Sequence, residues 1–315
     1  MVRNMEWMPP WVARAYARLY AAKRTDTFDF REAGRILDLK DKRRVTKRLT
    51  RLRVSGHLTA RRDPVDQRRK LFRLVDPESV VQAVAIQSRA KTTDVPGKLK
   101  AASDVLDYYV NGSYAAYQYH HYSAPGRIDI SVRVEQLSTW IALLSEKDAA
   151  ISIDEIPAEN PGGTNVSLRS DFDEKFSEHF RVIDGIKYLT PEVLVVLGIT
   201  RDHPAVEDVL AILVVQRARL DWKTLTALSE AYNATRFVGC LLDVLNSEMC
   251  KPLFPTAHIS KLFRESNLHA RLDFPSGVKD ERAEERYATI SSKWNVRLHL
   301  THAVVSKILT DLVRK

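Results

Sequence analysis

Residues 41–62 read DKRRVTKRLTRLRVSGHLTARR, and two patterns are superimposed in them. Val45, Leu49 and Leu52 fall within about 60° of one another when each residue turns the helix by about 100°. They form the seam of an amphipathic helix. Arg43, Arg44, Lys47 and Arg51 fall on the opposite side, with Lys42 and Arg48 flanking the seam. Asp41 is placed to cap the first turn and Gly56 to end the helix. Beyond Gly56 the pattern changes. LTARR at 58–62 and RRKLFRL at 68–74 read as two strands of a hairpin, separated by DPVDQ, whose Asp-Pro opens a turn.

Toward the N-terminus, Val12, Ala15, Tyr16, Leu19 and Tyr20 repeat at helical spacing and predict a helix over 11–23. FREAGRILD at 30–38 predicts a second, short helix. Asp29 and Glu32 are spaced there as a capping box, and Ala33, Ile36 and Leu37 face inward. A short helix, a tight turn and a longer helix with a basic outer face is the order of a helix-turn-helix, whose second helix enters the major groove of DNA. With the hairpin it makes a winged helix-turn-helix. Arg43, Arg44 and Lys47 are the candidates for groove entry, with Lys42, Arg48 and Arg51 beside them. Arg61, Arg62, Arg68, Arg69 and Lys70 cluster at the hairpin tip as candidates for phosphate or minor-groove contacts. Protein docking with merely solvated arginines, or RNA binding, would use the same residue types.

Charge placement favours a nucleic-acid partner. The 315-residue chain carries a formal charge of +9. Residues 1–76 hold 21 Lys and Arg against 9 Asp and Glu, a balance of +12, and the remaining residues balance at −3. A basic module on a near-neutral body points to one part that meets phosphates and another with a different task. At 44% hydrophobic and 28% charged, the composition is that of a globular protein with room for two or three domains. There is no apolar run of transmembrane length and no secretory signal pattern at the start, so a cytoplasmic location is expected, with no membrane partner. Cys240 and Cys250 are expected as two buried thiols, too few for a cysteine-rich zinc site. No phosphate-loop, HExxH or CxxC pattern occurs, and no cofactor and no metal are expected.

The middle of the chain offers one chemical site to weigh. Residues 77–90 have a helical pattern, AKTTDVPGKLK at 90–100 reads as a linker, and 99–109 as a helix. Gly112-Ser113 is placed at a strand–helix junction, and Ile128–Val134 alternates as a strand with Asp129 and Ser131 on one face. A nucleotidyl-transfer site needs two carboxylates on such a strand and a third nearby. Serine at 131 removes one, and nothing in the sequence sets Asp154 or Glu155 beside Asp129. His120 and His121 point about 100° apart on a helix, which is poor chelating geometry. The tyrosines at 108–122 read as core packing, with an aromatic docking surface as the alternative. Further on, 158–176 reads as a loop or a long hairpin, 180–188 as two short strands around Asp184-Gly185, and helices are expected from Thr190, over 204–217, 222–232 and 234–246, and from Thr301 after a strand over 294–300.

Taken in order, NGSYAAYQYHHY at 111–122, RIDISVRV at 127–134, DGIKYLTPEVLVVL at 184–197, LDWKTLTALSEAYNATRFVGCLLDVL at 220–245 and KWNVRLHL at 293–300 resemble the AbiEi-type antitoxin-like transcriptional regulators. The resemblance implies a mixed α/β (α+β) chain: a winged-helix domain over 1–90, a degenerate nucleotidyltransferase-like α/β domain over 91–200 and a helical C-terminal subdomain over 201–315. It also implies a repressor that binds inverted repeats in double-stranded promoter DNA, with a cognate toxin as a further partner; operator repeats that match protein symmetry would fit a homodimer, with a monomer binding two sites in succession as the alternative. The missing carboxylate at 131 agrees with a non-enzymatic member. A nucleotidyltransferase with a nucleic-acid-binding arm, and a non-catalytic architectural protein, are the alternatives.

Overall fold

Two aspartates start the helices that matter most. The structure is a computed structural model that describes residues 10–64, 66–90, 94–144, 149–153, 164–176, 178–200, 206–266, 268, 272–273, 286–298 and 300–313. Helix α1 (Pro10–Lys23) is followed by the short strand β1 (Phe28–Asp29) and helix α2 (Phe30–Ile36). Asp29 caps α2 in a complete capping box: its side chain accepts from the Glu32 N–H, and the Glu32 carboxylate accepts from the Asp29 N–H. Asp38 takes a left-handed φ of 53° and turns the chain toward α3 (Lys42–Val54), whose first turn Asp41 caps through the Arg43 N–H. Gly56, at φ 75°, closes the far end, a backbone setting that glycine adopts without strain.

Strands β2 (Leu58–Arg62) and β3 (Lys70–Leu74) pair antiparallel, and β1 adds to β3, giving the order β1-β3-β2. Val12, Ala15, Leu19, Phe28, Ala33, Leu37, Val45, Leu49, Leu52, Leu58, Phe72 and Leu74 form one buried cluster beneath these helices and strands. Burying side chains of this kind stabilises by about 1.5–3 kcal/mol each, enough to hold a three-helix, three-strand module together.

Beyond it come α4 (Pro77–Gln87), α5 (Val95–Ala102), β4 (Tyr108–Asn111), α6 (Gly112–His120), β5 (Arg127–Val132), α7 (Leu137–Leu144), β6 (Ala149–Ile153), β7 (Thr164–Arg169), β8 (Phe180–Ile183) and β9 (Ile186–Leu189). The six strands form a sheet of order β6-β7-β5-β4-β9-β8, in which β6 runs parallel to β7 and β4 parallel to β9. Then follow α8 (Pro191–Thr200), α9 (Val206–Gln216), α10 (Trp222–Ala231), α11 (Thr235–Ser247), α12 (Thr256–Arg264), β10 (Leu272–Asp273), α13 (Ala288–Trp294), β11 (Val296–Arg297) and α14 (His302–Leu312). The chain is a mixed α/β protein.

Several local expectations change. The stretch 90–100 is not all linker, because Asp94 caps α5 through the Gly97 N–H and Pro96 fits its first turn. The helix expected over 99–109 stops at Ala102, and Tyr108 and Tyr109 enter β4, where both aromatic rings are buried. Within 158–176 there is a strand, β7, which pairs parallel with β6 and is not one arm of a hairpin within that stretch. Trp294 ends α13 instead of beginning a strand. Cys240 is buried but Cys250 is exposed, and both are free thiols. Among the described residues no helix is long and apolar enough to cross a membrane.

The chain divides into two units, each assembled from separated stretches, where the sequence reading drew three consecutive segments: residues 1–109, 129–172 and 182–187, and residues 110–128, 173–181 and 188–315. The first contains the N-terminal module, and Trp140, fully buried, meets Tyr108 edge-on with ring centroids 5.0 Å apart. In the second, α11 is buried along most of its length, and Gly239 lies against the Trp294 indole. A methyl group there has no room. Gly239→Ala should therefore lower unfolding free energy by about 1–3 kcal/mol, the cost of overpacking, measured by chemical denaturation followed by tryptophan fluorescence.

Candidate nucleic-acid interface

Helix α3 is set in rotation by its seam: Val45, Leu49 and Leu52 are 1%, 3% and 0% exposed. Lys42, Arg43, Arg44 and Lys47 are consequently exposed and Arg48 is half-buried at the edge of the seam, but Arg51, expected on the outer face, is half-buried as well. Arg44 keeps three-quarters of its side chain in solvent and lies 3.7 Å from Asp41. The Lys47 ammonium sits 5.9 Å from the centroid of the Trp11 ring, a cation–π contact that steadies it. Arg51 has partners within the chain.

The charge on α3 works against the helix. Arg43, Lys47 and Arg51 form one row at four-residue spacing, and Arg44 and Arg48 a second. Like charges so placed destabilise a helix by about 0.2–0.5 kcal/mol a pair. The first turn contains no acidic residue but three cations, where the helix dipole favours anions. The seam outweighs these terms, so the helix forms, and the face is left with a positive charge that the fold itself does not need.

The hairpin repeats this arrangement. Arg62 stands directly opposite Lys70 in the β2–β3 register, a like-charge cross-strand pair that is unfavourable in isolation. Arg61, Arg62, Arg68, Arg69 and Lys70 are all exposed. Arg61, Arg62 and Arg68 make no side-chain ion pair or hydrogen bond among the described residues. Arg69 differs, because its guanidinium pairs with the Asp29 carboxylate. Arg73, which sequence reasoning passed over, donates from Nε to the Thr25 carbonyl at 2.8 Å and ties β3 to the loop before β1.

Two carboxylates hold the module's corner. The Lys23 ammonium, 2.7 Å from Glu32, and the Asp29 N–H hold the Glu32 carboxyl below the usual carboxylate range. The Glu32 N–H, with Arg69 after it, does the same for Asp29. His57, half-buried against the Tyr16 ring, has its pKa lowered by burial.

The residues weighed for nucleotidyl transfer are also placed. Gly112, at φ 62°, and Ser113 lie where β4 turns into α6. Asp129 and Ser131 are buried on β5, 6% and 0% exposed. The Ser131 hydroxyl donates to Asp171 Oδ1 at 2.6 Å, and Arg169 Nε lies 2.9 Å from Oδ2 of the same carboxylate. Asp171 is thus the acid next to Ser131, a pairing that nothing in the sequence spacing signals. Asp154 and Glu155 lie outside the described residues. Among the described residues no group of three metal-ligating side chains occurs. His120 turns inward, with Nε2 3.1 Å from Asp208 and Nδ1 accepting from the Tyr122 N–H, while His121 ends α6 in a left-handed conformation.

In comparisons with known proteins, the chain matches no family model and no curated protein sequence. It is similar to the RV2827C protein from Mycobacterium tuberculosis, a crystal structure, at 15% identity over 96% of each chain, with a TM-score of 0.40.

Acid should loosen this corner. A carboxylate held below its ordinary pKa contributes stability above that range and loses it as pH falls through the folded value. The lowered His57 pKa acts in the same direction, starting from the ordinary histidine range. Stability should therefore decline below about pH 6.5 and drop steeply below about pH 4, measured as denaturation midpoint against pH. Asp29→Ala should cost about 1 kcal/mol through the lost cap, and Asp29→Asn only part of that.

Proposed function

We propose that residues 10–76 are a winged helix that binds double-stranded DNA, and that the protein is a transcription regulator acting as a repressor. One observation carries this reading: the α3 face opposite the buried seam holds cations that weaken the helix bearing them, beside a hairpin that sets Arg62 against Lys70. Phosphates relieve both repulsions. A helix of 13 residues is about 20 Å long and fits a major groove about 12 Å wide. In this reading Arg43, Arg44 and Lys47 enter the groove, Lys42, Arg48 and Arg51 lie along its walls, and Arg61, Arg62, Arg68 and Lys70 meet the backbone.

The remainder of the chain acts without catalysis in this proposal. The support is chemical: a serine at 131, bonded to Asp171 and with Arg169 on the same carboxylate, replaces a metal-binding acid with a neutral donor. The AbiEi resemblance extends the proposal to binding of inverted repeats as a homodimer and to an antitoxin role with a cognate toxin in the cytoplasm.

Duplex binding should weaken steeply with salt, as expected for several phosphate contacts. Arg43→Ala should weaken binding to the preferred site by about 5- to 150-fold, the range for one bidentate base contact, and flatten preference at one or two base positions. Binding independent of salt and indifferent to loss of Arg43, Arg44 and Lys47 would reject the reading. Selection of bound fragments from the source genome should recover a site beside the chain's own gene. Scattered sites would favour an architectural role instead. Incubation with labelled nucleoside triphosphates, Mg²⁺ and nucleic-acid acceptors should give no transfer.

A further inference from the structure

The hairpin register sets an unusual neighbour for one of its arginines. Asp29 of β1 stands opposite Leu71 of β3. Arg69, two residues before Leu71, therefore lies diagonally across from Asp29, a separation of about 7–8 Å that a long side chain spans. Its guanidinium closes that distance and bonds Asp29 Oδ2, while Asp29 Oδ1 accepts from the Glu32 N–H at 2.8 Å. The Asp29 side chain is 13% exposed and that of Arg69 51% exposed. The Arg69 backbone is held as well: its carbonyl accepts from the Asp63 N–H at 2.9 Å, and its N–H donates to the Asp66 carbonyl at 2.8 Å. Both ends of the residue are fixed, one in the hairpin tip and the other on the cap of α2.

The connection continues. Glu32 Oε1 takes the Lys23 ammonium at 2.7 Å, and Glu32 Oε2 accepts from the Asp29 N–H at 3.0 Å. A line of charged contacts thus runs from the end of α1, through the start of α2, to the hairpin tip. Arg61, Arg62 and Arg68 stand outside it.

We propose that Arg69 is a positioning residue that fixes the wing to the helix-turn-helix through Asp29, and that it is withheld from the phosphates that Arg61, Arg62 and Arg68 meet. The proposal rests on the DNA-binding reading for its phosphates, but the strut itself exists without DNA. A charge that already has a carboxylate partner releases no condensed counterion from the duplex when DNA binds. Its removal loosens the wing instead of deleting a phosphate contact.

The test uses the full chain with Arg69→Gln, Asp29→Asn, both together, and Arg68→Gln as the phosphate-contact reference. Asparagine caps helices about as well as aspartate, so Asp29→Asn removes the charge and spares α2. Affinity for a mixed-sequence duplex of about 20 base pairs, two helical turns, is measured over a salt series. Arg68→Gln should lower the salt slope by about 0.9. Arg69→Gln and Asp29→Asn should each weaken binding by about threefold to tenfold, the scale of coupling between contacting residues, with the slope unchanged. The double variant should be no weaker than either single one. A slope that falls in Arg69→Gln as it does in Arg68→Gln, or tighter binding by Asp29→Asn, would overturn the proposal by showing Arg69 on a phosphate.

Hydrogen exchange of the DNA-free protein supplies the second measurement. The Asp63 and Arg69 amides should exchange faster in Arg69→Gln and Asp29→Asn but not in Arg68→Gln, and unchanged exchange would overturn the strut. If the wild-type chain ignores the duplex, the DNA reading fails alone, and exchange still decides whether Arg69 braces the wing.

Discussion

The rotation of α3 about its own axis depends on three side chains. Val45, Leu49 and Leu52 are buried against α1, α2 and the small sheet, and no other rotation of this helix would bury all three. Every outward property follows from that setting. Lys42, Arg43, Arg44 and Lys47 are exposed because the seam faces the other way, and Arg48 is half-buried because it borders it. The hairpin follows directly, since Gly56 releases the chain into β2 with Leu58 already in the same core.

Local stability and charge oppose one another at two places in this module. Cations occupy the first turn of α3, where anions are favoured, and Arg62 faces Lys70 across the hairpin. A core of twelve apolar residues holds these arrangements in place. Ion pairs also occur elsewhere in the chain: Arg133 lies 2.8 Å from Asp107, Lys293 2.6 Å from Asp243, and Arg286 2.8 Å from Glu248. Within the module Lys23, Arg44 and Arg69 have carboxylates of the same kind nearby, whereas Arg61, Arg62 and Arg68 have none among the described residues.

The sequence was most legible where one physical signal dominated. The capping box at Asp29 and Glu32, the seam of α3, the hairpin at 58–74 and the Asp184-Gly185 turn, with φ of 52° and 81°, all lie where the spacing puts them. The helices expected over 222–232 and from Thr301 are α10 and α14, capped by Asp221 and Thr301. Buried strands were harder. Tyr108 and Tyr109 follow a helical run without a break, and only pairing in a sheet buried on both faces makes them a strand. The composition of 158–176 left loop and hairpin open, and only the pairing of β7 with β6 and the contact between Ser131 and Asp171 place it. Which arginines are paired is a matter of register, not composition. Arg68 and Arg69 look alike in sequence, and the offset of β1 against β3 separates them.

The chain leaves the module through a double latch. The Tyr16 phenol donates to the Val75 carbonyl at 2.6 Å, and the Tyr20 phenol to Asp76 Oδ1 at 2.7 Å. Burial for Tyr16, and the bond to Asp76 for Tyr20, push both phenols up from their usual pKa, so both remain donors at neutral pH. The other oxygen of Asp76 accepts from the Glu78 N–H in the first turn of α4. Asp76 is therefore a rivet between α1 and α4 rather than the first link of a swivel. A torque applied to α4 reaches α1, the helix against which α3 is packed, through the Tyr20 phenol on Asp76, and reaches the hairpin through Val75, whose N–H donates to the His57 carbonyl at 3.1 Å.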